Sequence, residues 1–198
     1  MHYRKEYRYK EADFNGEFSE KLSKVRDWLK DWQNKHNNLF VCGNTGCGKT
    51  HLAKAFLNEL SKTSRKYPAY NGLDEWWDII DVEYVVSKNL FDMIRTRFSS
   101  DKSVSERAKA TVYEWSIAKL LIIDEFGLGY GTDSELIELT ELLDTRWRKG
   151  LPTVFLSNCS MSGLANYLKD RAAQRAFDNA EFVEIKDTKT LRKKPREL

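Results

Sequence analysis

Short apolar runs alternate with amphipathic helical patterns along most of the chain. One helical pattern spans residues 50–60, where apolar side chains recur three or four positions apart. Regular alternation of strand and helix predicts a parallel sheet with helices on both faces, and burial on both faces explains runs that are apolar at every position. We therefore predict an α/β fold with a five-stranded parallel sheet, whose strands lie near residues 39–42, 83–86, 120–123, 153–156 and 181–185.

Three further segments can be distinguished before, within and after the α/β core. Residues 1–36 precede the first strand and combine basic residues with a helical repeat of apolar side chains that begins near residue 18. The core covers residues 37–186 and includes an extension at residues 62–80, which we expect to pack on the core as a lid rather than to dock a partner. Residues 187–198 are predicted to form a basic C-terminal tail. A length of 198 residues fits one globular domain of this kind.

The composition argues against a membrane-spanning or secreted protein and against a structural zinc site. No apolar segment approaches the roughly 20 residues needed to cross a bilayer, and the first residues lack the apolar core of a secretory signal. The three cysteines, Cys42, Cys47 and Cys159, form no C-x-x-C pair, which argues against structural zinc and for reduced thiols. We therefore expect a cytoplasmic protein.

Charge gives a weaker indication of a partner. The net charge is only +3, although 32% of the residues are charged. Basic residues gather near both chain ends, where they fit either solvated tails or a nucleic-acid contact. These residues are Arg4, Lys5, Arg8, Lys10, Lys189, Arg192, Lys193, Lys194 and Arg196.

A glycine-rich loop joins the first predicted strand to the helix after it. Its sequence, GNTGCGKT, fits the phosphate-loop pattern G-x-x-x-x-G-K-[ST]. Glycines let backbone N–H groups close on a polyphosphate, and the N-terminus of the next helix adds the positive end of its dipole. Lys49 would reach the β- and γ-phosphates, and Thr50 would give its hydroxyl to Mg²⁺. We predict that ATP is bound by Gly43, Asn44, Thr45, Gly46, Cys47, Gly48, Lys49, Thr50 and His51.

Two acids follow the third predicted strand. Asp124 and Glu125 come directly after the apolar run at residues 120–123, and the carboxyl ends of parallel strands form the ligand edge of such a sheet. Asp124 would orient Mg²⁺ through water, and Glu125 would polarise the attacking water as a general base. The pair predicts ATP hydrolysis in addition to nucleotide binding.

Polar groups further along the chain complete the predicted site. Asn158 follows the fourth predicted strand, where its amide can hydrogen-bond both the γ-phosphate and the attacking water, the sensor-1 role of AAA+ ATPases. Arg171 and Arg175 lie four residues apart on a predicted helix and share a face. Either is a candidate arginine finger for a neighbouring subunit's γ-phosphate, a contribution worth roughly 10³ to 10⁵ in rate. Arg146 is a further candidate.

These motifs together resemble the AAA+ domain of the bacterial and phage helicase loaders of the DnaC and DnaI type, whose close relative is the insertion-sequence ATPase IstB. The resemblance covers residues 36–186 and rests on GNTGCGKTHLAKAF, LLIIDEFG, LLDTRWRKGLPTVFLSN and LKDRAAQRAFD, in that order. It implies an AAA+ αβα sandwich with ATP and Mg²⁺ as cofactors. It also implies a homo-oligomer that assembles with ATP around single-stranded DNA, and a replicative hexameric DNA helicase as partner.

The chain also departs from the family pattern. Only about 36 residues precede the core, where loaders usually carry a separate domain that grips the helicase, and no lid domain is expected after residue 185. We therefore expect weak ATPase activity in the monomer and a phage or prophage origin. Family members line their DNA channel with a helical element between the second and third strands. The matching residues 88–119 predict either a DNA-tracking or a merely solvated basic face, formed by Arg95, Arg97, Lys102, Arg107 and Lys109.

Three other functions remain open on the sequence alone. An IstB-like transposition ATPase would bind duplex DNA and a transposase, although LKDRAAQRAFD resembles the loaders more closely. A small-molecule kinase would need an arginine-rich lid, whereas the Asp124–Glu125 pair suits water activation. An adaptor that does not hydrolyse ATP would use the nucleotide only as a structural ligand. We predict an ATP-dependent replicative helicase loader.

Overall fold

The computed structural model describes residue 14 and residues 18–63, 82–127 and 132–186. Within these residues five parallel strands form one sheet, which confirms the predicted number of strands and their direction. The strands are β1 (Leu39–Gly43), β2 (Val82–Val86), β3 (Leu120–Phe126), β4 (Thr153–Ser157) and β5 (Glu181–Ile185). Their order across the sheet is β2-β3-β4-β1-β5.

Six α-helices of the described chain connect and flank these strands. Side-chain caps set several of their starts, because Ser19, Asp101 and Ser160 each accept a hydrogen bond from a backbone N–H of the first helical turn. The helices are α1 (Glu20–Lys30), α2 (Lys49–Thr63), α3 (Ser87–Thr96), α4 (Lys102–Ile117), α5 (Asp133–Arg148) and α6 (Met161–Phe177).

Alternation along the strands separates two apolar cores. In β1, Leu39 and Val41 belong to one core, whereas Phe40 and Cys42 belong to the other. Side chains of α1 and α2 complete the first core, and side chains of α3, α4, α5 and α6 complete the second. The result is the predicted αβα sandwich. Because both faces are covered, the central strands are apolar at consecutive positions.

Arg146 ties together the amino ends of the central strands. It is 1% exposed, and its guanidinium donates to the carbonyl oxygens of Trp115, Ala118 and Pro152 and to Oγ1 of Thr153, at 2.6 to 2.9 Å. These bonds join α5 to the end of α4 and to the start of β4. A side chain buried in this way cannot reach a neighbouring subunit, so the prediction of Arg146 as an arginine finger is wrong.

Several predicted segments lie outside the described residues. They include the basic residues before residue 14, the tail at residues 187–198 and, apart from the last turn of α2, the extension at residues 62–80. In the part of the chain that the structure describes, no helix has the length and apolar character needed to span a membrane.

Candidate active site

The phosphate loop lies at the carboxyl end of β1 and leads directly into α2. Gly46 and Gly48 have φ values of 87° and 104°, a left-handed backbone that glycine adopts without a Cβ clash. Gly43 is required for a different reason, since a Cβ there would lie 2.8 Å from the carbonyl oxygen of Ile185. The thiol of Cys47 is buried in the first core, so this residue has only its backbone to offer a ligand.

Lys49 connects the phosphate loop to the end of β4. Its side chain is buried, with 8% of the residue exposed. Its Nζ donates to the carbonyl oxygens of Gly43 and Asn44, at 2.6 and 3.1 Å, and to Oδ1 of Asn158, at 2.9 Å. The structure therefore brings together two residues that the sequence separates by 109 positions. Nζ also donates to Sγ of Cys47 at 3.5 Å, and none of these four contacts is with a carboxylate.

Asn158 is positioned by the residue before it. Ser157 is fully buried, and its hydroxyl donates to the carbonyl oxygen of Phe126 at 2.7 Å while accepting the N–H of Cys159 at 2.9 Å. These bonds lock the end of β4 to the end of β3. The amide of Asn158 is thereby held at the edge where Asp124 and Glu125 lie.

Asp124 is buried at the end of β3, with 3% of the residue exposed. Its Oδ1 accepts the backbone N–H of Glu125 at 2.8 Å, and its Oδ2 accepts the hydroxyl of Tyr84 at 2.6 Å. Tyr84 lies on β2 and is absent from the sequence-based prediction. The available signal was a hydroxyl among the valines of a predicted strand, but only the pairing of β2 with β3 shows where that hydroxyl reaches.

Glu125 has a left-handed backbone. Its φ is +56°, which costs an ordinary residue roughly 1–2 kcal/mol. The register between β3 and β4 is irregular between Ile123 and Phe126, and this irregularity leaves the Glu125 side chain exposed while Asp124 is buried. The two adjacent acids therefore occupy different environments, as an exposed base beside a buried metal ligand would.

The donors at this edge fit Mg²⁺. The ion usually binds one or two carboxylates together with phosphate oxygens and water. Asp124 offers a buried carboxylate whose two oxygens are already oriented, and Thr50 offers a hydroxyl in the first turn of α2. These two residues do not form a complete cage around the ion. Such partial coordination by protein is usual where the nucleotide supplies the other oxygens.

The two candidate arginines of α6 differ in their surroundings. The side chain of Arg171 lies outside the described part of the chain. Arg175 donates to Oδ1 of Asp144 at 2.6 Å, and its guanidinium lies 4.1 Å from the centre of the Trp147 ring. Its carbonyl oxygen accepts from Asn38, just before β1. Arg175 therefore lies at the amino edge of the sheet, opposite its own phosphate loop.

The basic residues of α3 and α4 divide into two groups. Arg95 on α3 donates to Oε1 of Glu135 at 2.8 Å, and Arg97, directly after α3, pairs with Glu138, so both arginines attach this part of the chain to α5. On α4, Lys109 pairs with Glu106 in an exposed contact. The other two basic residues of α4, Lys102 and Arg107, are exposed and have no ion pair within the described residues. Part of the predicted basic face is thus structural.

The chain matches one family model over nearly its whole length. The model describes IstB-like ATP binding proteins and covers residues 4–197. Among curated proteins, the chain is 26% identical over 154 residues to the replicative helicase loader DnaC of Escherichia coli strain K12, which covers 78% of this chain and 56% of that protein. It is 29% identical over 143 residues to DnaC of Buchnera aphidicola subsp. Baizongia pistaciae, or 72% and 51% of the two chains. The chain spans about half the length of these relatives.

Solved structures share the fold at lower identity. A crystal structure of the DnaC helicase loader gives a TM-score of 0.68 at 17% identity and covers 92% of this chain and 99% of that chain. A crystal structure of DnaI gives 0.66 at 20% identity, with coverage of 92% and 91%. AMPPCP-bound DnaA from Aquifex aeolicus gives 0.66 at 20% identity, with coverage of 88% and 50%. These likenesses show an AAA+ fold.

Proposed function

Because the chain belongs to the family of IstB-like ATP binding proteins, we propose that it is an ATP-hydrolysing helicase loader that acts in DNA replication. Membership of this family supports ATP as the bound nucleotide. The curated relatives are named replicative helicase loaders, which supports a replicative helicase as the partner. The contact that carries the ATPase part of the proposal is the bond between Lys49 and Asn158. It unites the phosphate loop with the strand edge that holds Asp124 and Glu125.

Nucleotide binding would begin at the phosphate loop. The backbone of residues 43–48 and the N-terminus of α2 would surround the β- and γ-phosphates. Lys49 would exchange its carbonyl partners for phosphate oxygens, which are stronger acceptors because they are charged. Asn158 would then keep one contact with Lys49 and gain another with the γ-phosphate, so that loss of the γ-phosphate changes the hydrogen bonds at the end of β4.

In ATP hydrolysis the two acids of β3 would have different roles, because one is buried and the other is exposed. Mg²⁺, when bound, neutralises charge on the phosphate oxygens, and Asp124 and Thr50 would hold it. Glu125 would take a proton from the attacking water, a role that suits its exposed position at the same edge. Glu125→Gln should therefore bind ATP but not turn it over. Unchanged turnover in this variant would support an adaptor instead.

A second copy of the chain would supply the missing positive charge. Arg175 is engaged with Asp144 and Trp147, so we favour Arg171 as the residue that acts in trans. The test mixes two inactive variants, Lys49→Ala and Arg171→Ala. Mixing creates interfaces that combine an intact phosphate loop with an intact arginine, so activity should return. Recovery with Arg175→Ala but not with Arg171→Ala would reverse the assignment.

Single-stranded DNA would contact the exposed face of α4. Lys102 and Arg107 have no ion pair within the described residues, unlike Arg95 on α3 and Arg97 directly after it. Replacing both with Gln should weaken DNA binding at every sequence and reduce its logarithmic salt slope by about 1 for each phosphate that is no longer neutralised. Binding measured over a salt series checks this. An unchanged slope would place the DNA interface elsewhere, for example at the basic chain ends.

The loader function is tested by co-purification with a bacterial replicative helicase, with and without ATP and Mg²⁺. We expect a complex with the wild-type chain and a weakened complex with Lys49→Ala, because the phosphate loop controls the nucleotide state. Lys24→Ala, which removes an exposed lysine of α1, is a control for the loss of a lysine away from the proposed site. If no complex forms in either nucleotide state while duplex DNA binds tightly, a transposition ATPase of the IstB type replaces the loader proposal.

A further inference from the structure

Tyr84 occupies the space between the phosphate-loop helix and the buried aspartate of β3. The residue is 7% exposed and belongs to the first core. In the paired strands Tyr84 lies opposite Ile122, and Asp124 lies opposite Val86. Since side chains two apart on a strand share a face, Asp124 points to the same side as Tyr84 and Ile122. Helix α2 covers that side.

Two contacts link the Tyr84 side chain to both halves of the proposed site. Its hydroxyl donates to Oδ2 of Asp124 at 2.6 Å. On the other side, the ammonium of Lys54, which follows Lys49 on α2, lies 6.0 Å from the centre of the Tyr84 ring. The distance is within the range of a cation–π contact. The tyrosine is therefore in contact with the helix that follows the phosphate loop and with the proposed metal ligand.

We propose that Tyr84 is a positioning residue that orients Asp124 toward Mg²⁺. This inference rests on the proposed function, because it concerns the metal of the same ATP site. The backbone N–H of Glu125 occupies one lone pair of Oδ1, and the Tyr84 hydroxyl occupies one lone pair of Oδ2. Each carboxylate oxygen keeps a second lone pair for a metal or its water. With both oxygens held, the carboxylate has a single orientation before the metal arrives.

The hydroxyl has a role that packing of the ring does not explain. A phenylalanine would fill the same volume on β2 without placing an oxygen in the first core. A buried hydroxyl is retained without a large penalty only when it is hydrogen-bonded, and a bond to a charged acceptor is about twice as strong as one to a neutral acceptor. Partners of this kind, bonded to a metal ligand, typically alter metal affinity or activity by about 10- to 100-fold.

The test measures ATP affinity in EDTA and in Mg²⁺ for the wild type, Tyr84→Phe, Asp124→Asn and the double variant. We expect Tyr84→Phe to bind ATP as the wild type does in EDTA but to lose about tenfold of the affinity gained with Mg²⁺. In the Asp124→Asn background, Tyr84→Phe should add no further loss, because the tyrosine acts through the aspartate. Thermal unfolding of each variant checks that it is folded.

A matched control is Tyr167→Phe, which removes another tyrosine hydroxyl, from α6, where the ring packs edge-on against Phe126. It should keep the full gain with Mg²⁺. An unchanged gain in folded Tyr84→Phe would overturn the positioning role and leave the proposed ATPase intact. Additive losses in the double variant would also overturn it. If the wild-type chain shows no gain with Mg²⁺, the proposed function fails, and the role of Tyr84 fails with it.

Discussion

At the scale of single residues, Arg146 shows how a charged side chain can serve the fold alone. It is the largest described side chain with less than 2% exposure, and it donates to three carbonyl oxygens and one hydroxyl. Arg146→Met should lower the free energy of unfolding by about 3–5 kcal/mol, because the buried acceptors lose their donor. Urea unfolding measures the loss. Arg148→Met is the control on the same helix.

The Arg148 side chain is 66% exposed, and its ion pair with Asp144 should be worth less than about 1 kcal/mol. Equal losses in the two variants would contradict the structural role of Arg146. Neither variant removes a residue of the proposed nucleotide site, so the comparison measures the contribution of each arginine to stability alone.

Asp144 makes stability depend on acid pH. Burial raises the pKa of its carboxyl, but hydrogen bonds and charge from Arg175 and Arg148 outweigh burial and hold the pKa below its ordinary value of 3.8. A lowered folded pKa means that Asp144 stabilises the protein above pH 3.8 and that this contribution is lost as the pH falls toward the folded pKa. Asp144→Asn should therefore be less stable than the wild type at neutral pH.

The two stabilities should converge as the pH falls below the lowered pKa of folded Asp144, because the wild-type carboxylate is then protonated. Thermal unfolding from about pH 7 to about pH 2 follows both proteins. Parallel curves over the whole range would show that the ion pair with Arg175 adds nothing to stability. The same variant would also release Arg175, and a change in oligomer formation would then reveal whether that arginine acts between subunits.

At the scale of elements, α5 begins with a capping box that is shared with a neighbouring helix. Thr132 Oγ1 accepts the N–H of Glu135, and the Glu135 carboxylate accepts the N–H of Thr132 while also pairing with Arg95 on α3. Burial raises the pKa of Glu135, but these hydrogen bonds lower it overall. One carboxylate thus sets the start of α5 and its attachment to α3.

Thr132→Ala should lower the free energy of unfolding by about 1 kcal/mol, since the helix loses its cap. Thr132→Ser keeps the hydroxyl and should lose much less. Chemical unfolding of the two variants measures the difference. Similar losses would indicate that the threonine methyl group, rather than the cap, provides the stabilisation.

At the scale of the whole molecule, ATP should stabilise the folded state because the phosphate loop exists only when β1, α2 and β4 are assembled. With ATP and Mg²⁺ at about 100 times the dissociation constant, linkage adds about 2.7 kcal/mol. For a chain of this size the melting temperature should rise by roughly 5–10 °C. Differential scanning fluorimetry of the wild type and Lys49→Ala tests this, and an equal rise in both proteins would place the nucleotide elsewhere.

Much of the candidate site could be predicted because its parts are local in the chain. The phosphate loop, the two acids near the end of β3 and the asparagine after β4 each lie next to an apolar run that is recognisable by itself. Parallel strands bring their carboxyl ends to one edge of the sheet, so the sequence was sufficient to predict that these residues share one site. Tyr84 was missed because its relevance depends on which strand lies beside β3.

By itself, the sequence determined the types of element, their approximate limits and the chemistry at the strand ends, because helical and strand periodicity and glycine-rich turns depend on neighbouring residues. Only the tertiary structure decided the partners of the charged and polar side chains. It placed Arg146 inside the fold, joined Arg175 to Asp144 and brought Lys49 to Asn158. These contacts depend on the strand order and on helix packing, which bring together groups whose separation along the chain carries no local signal.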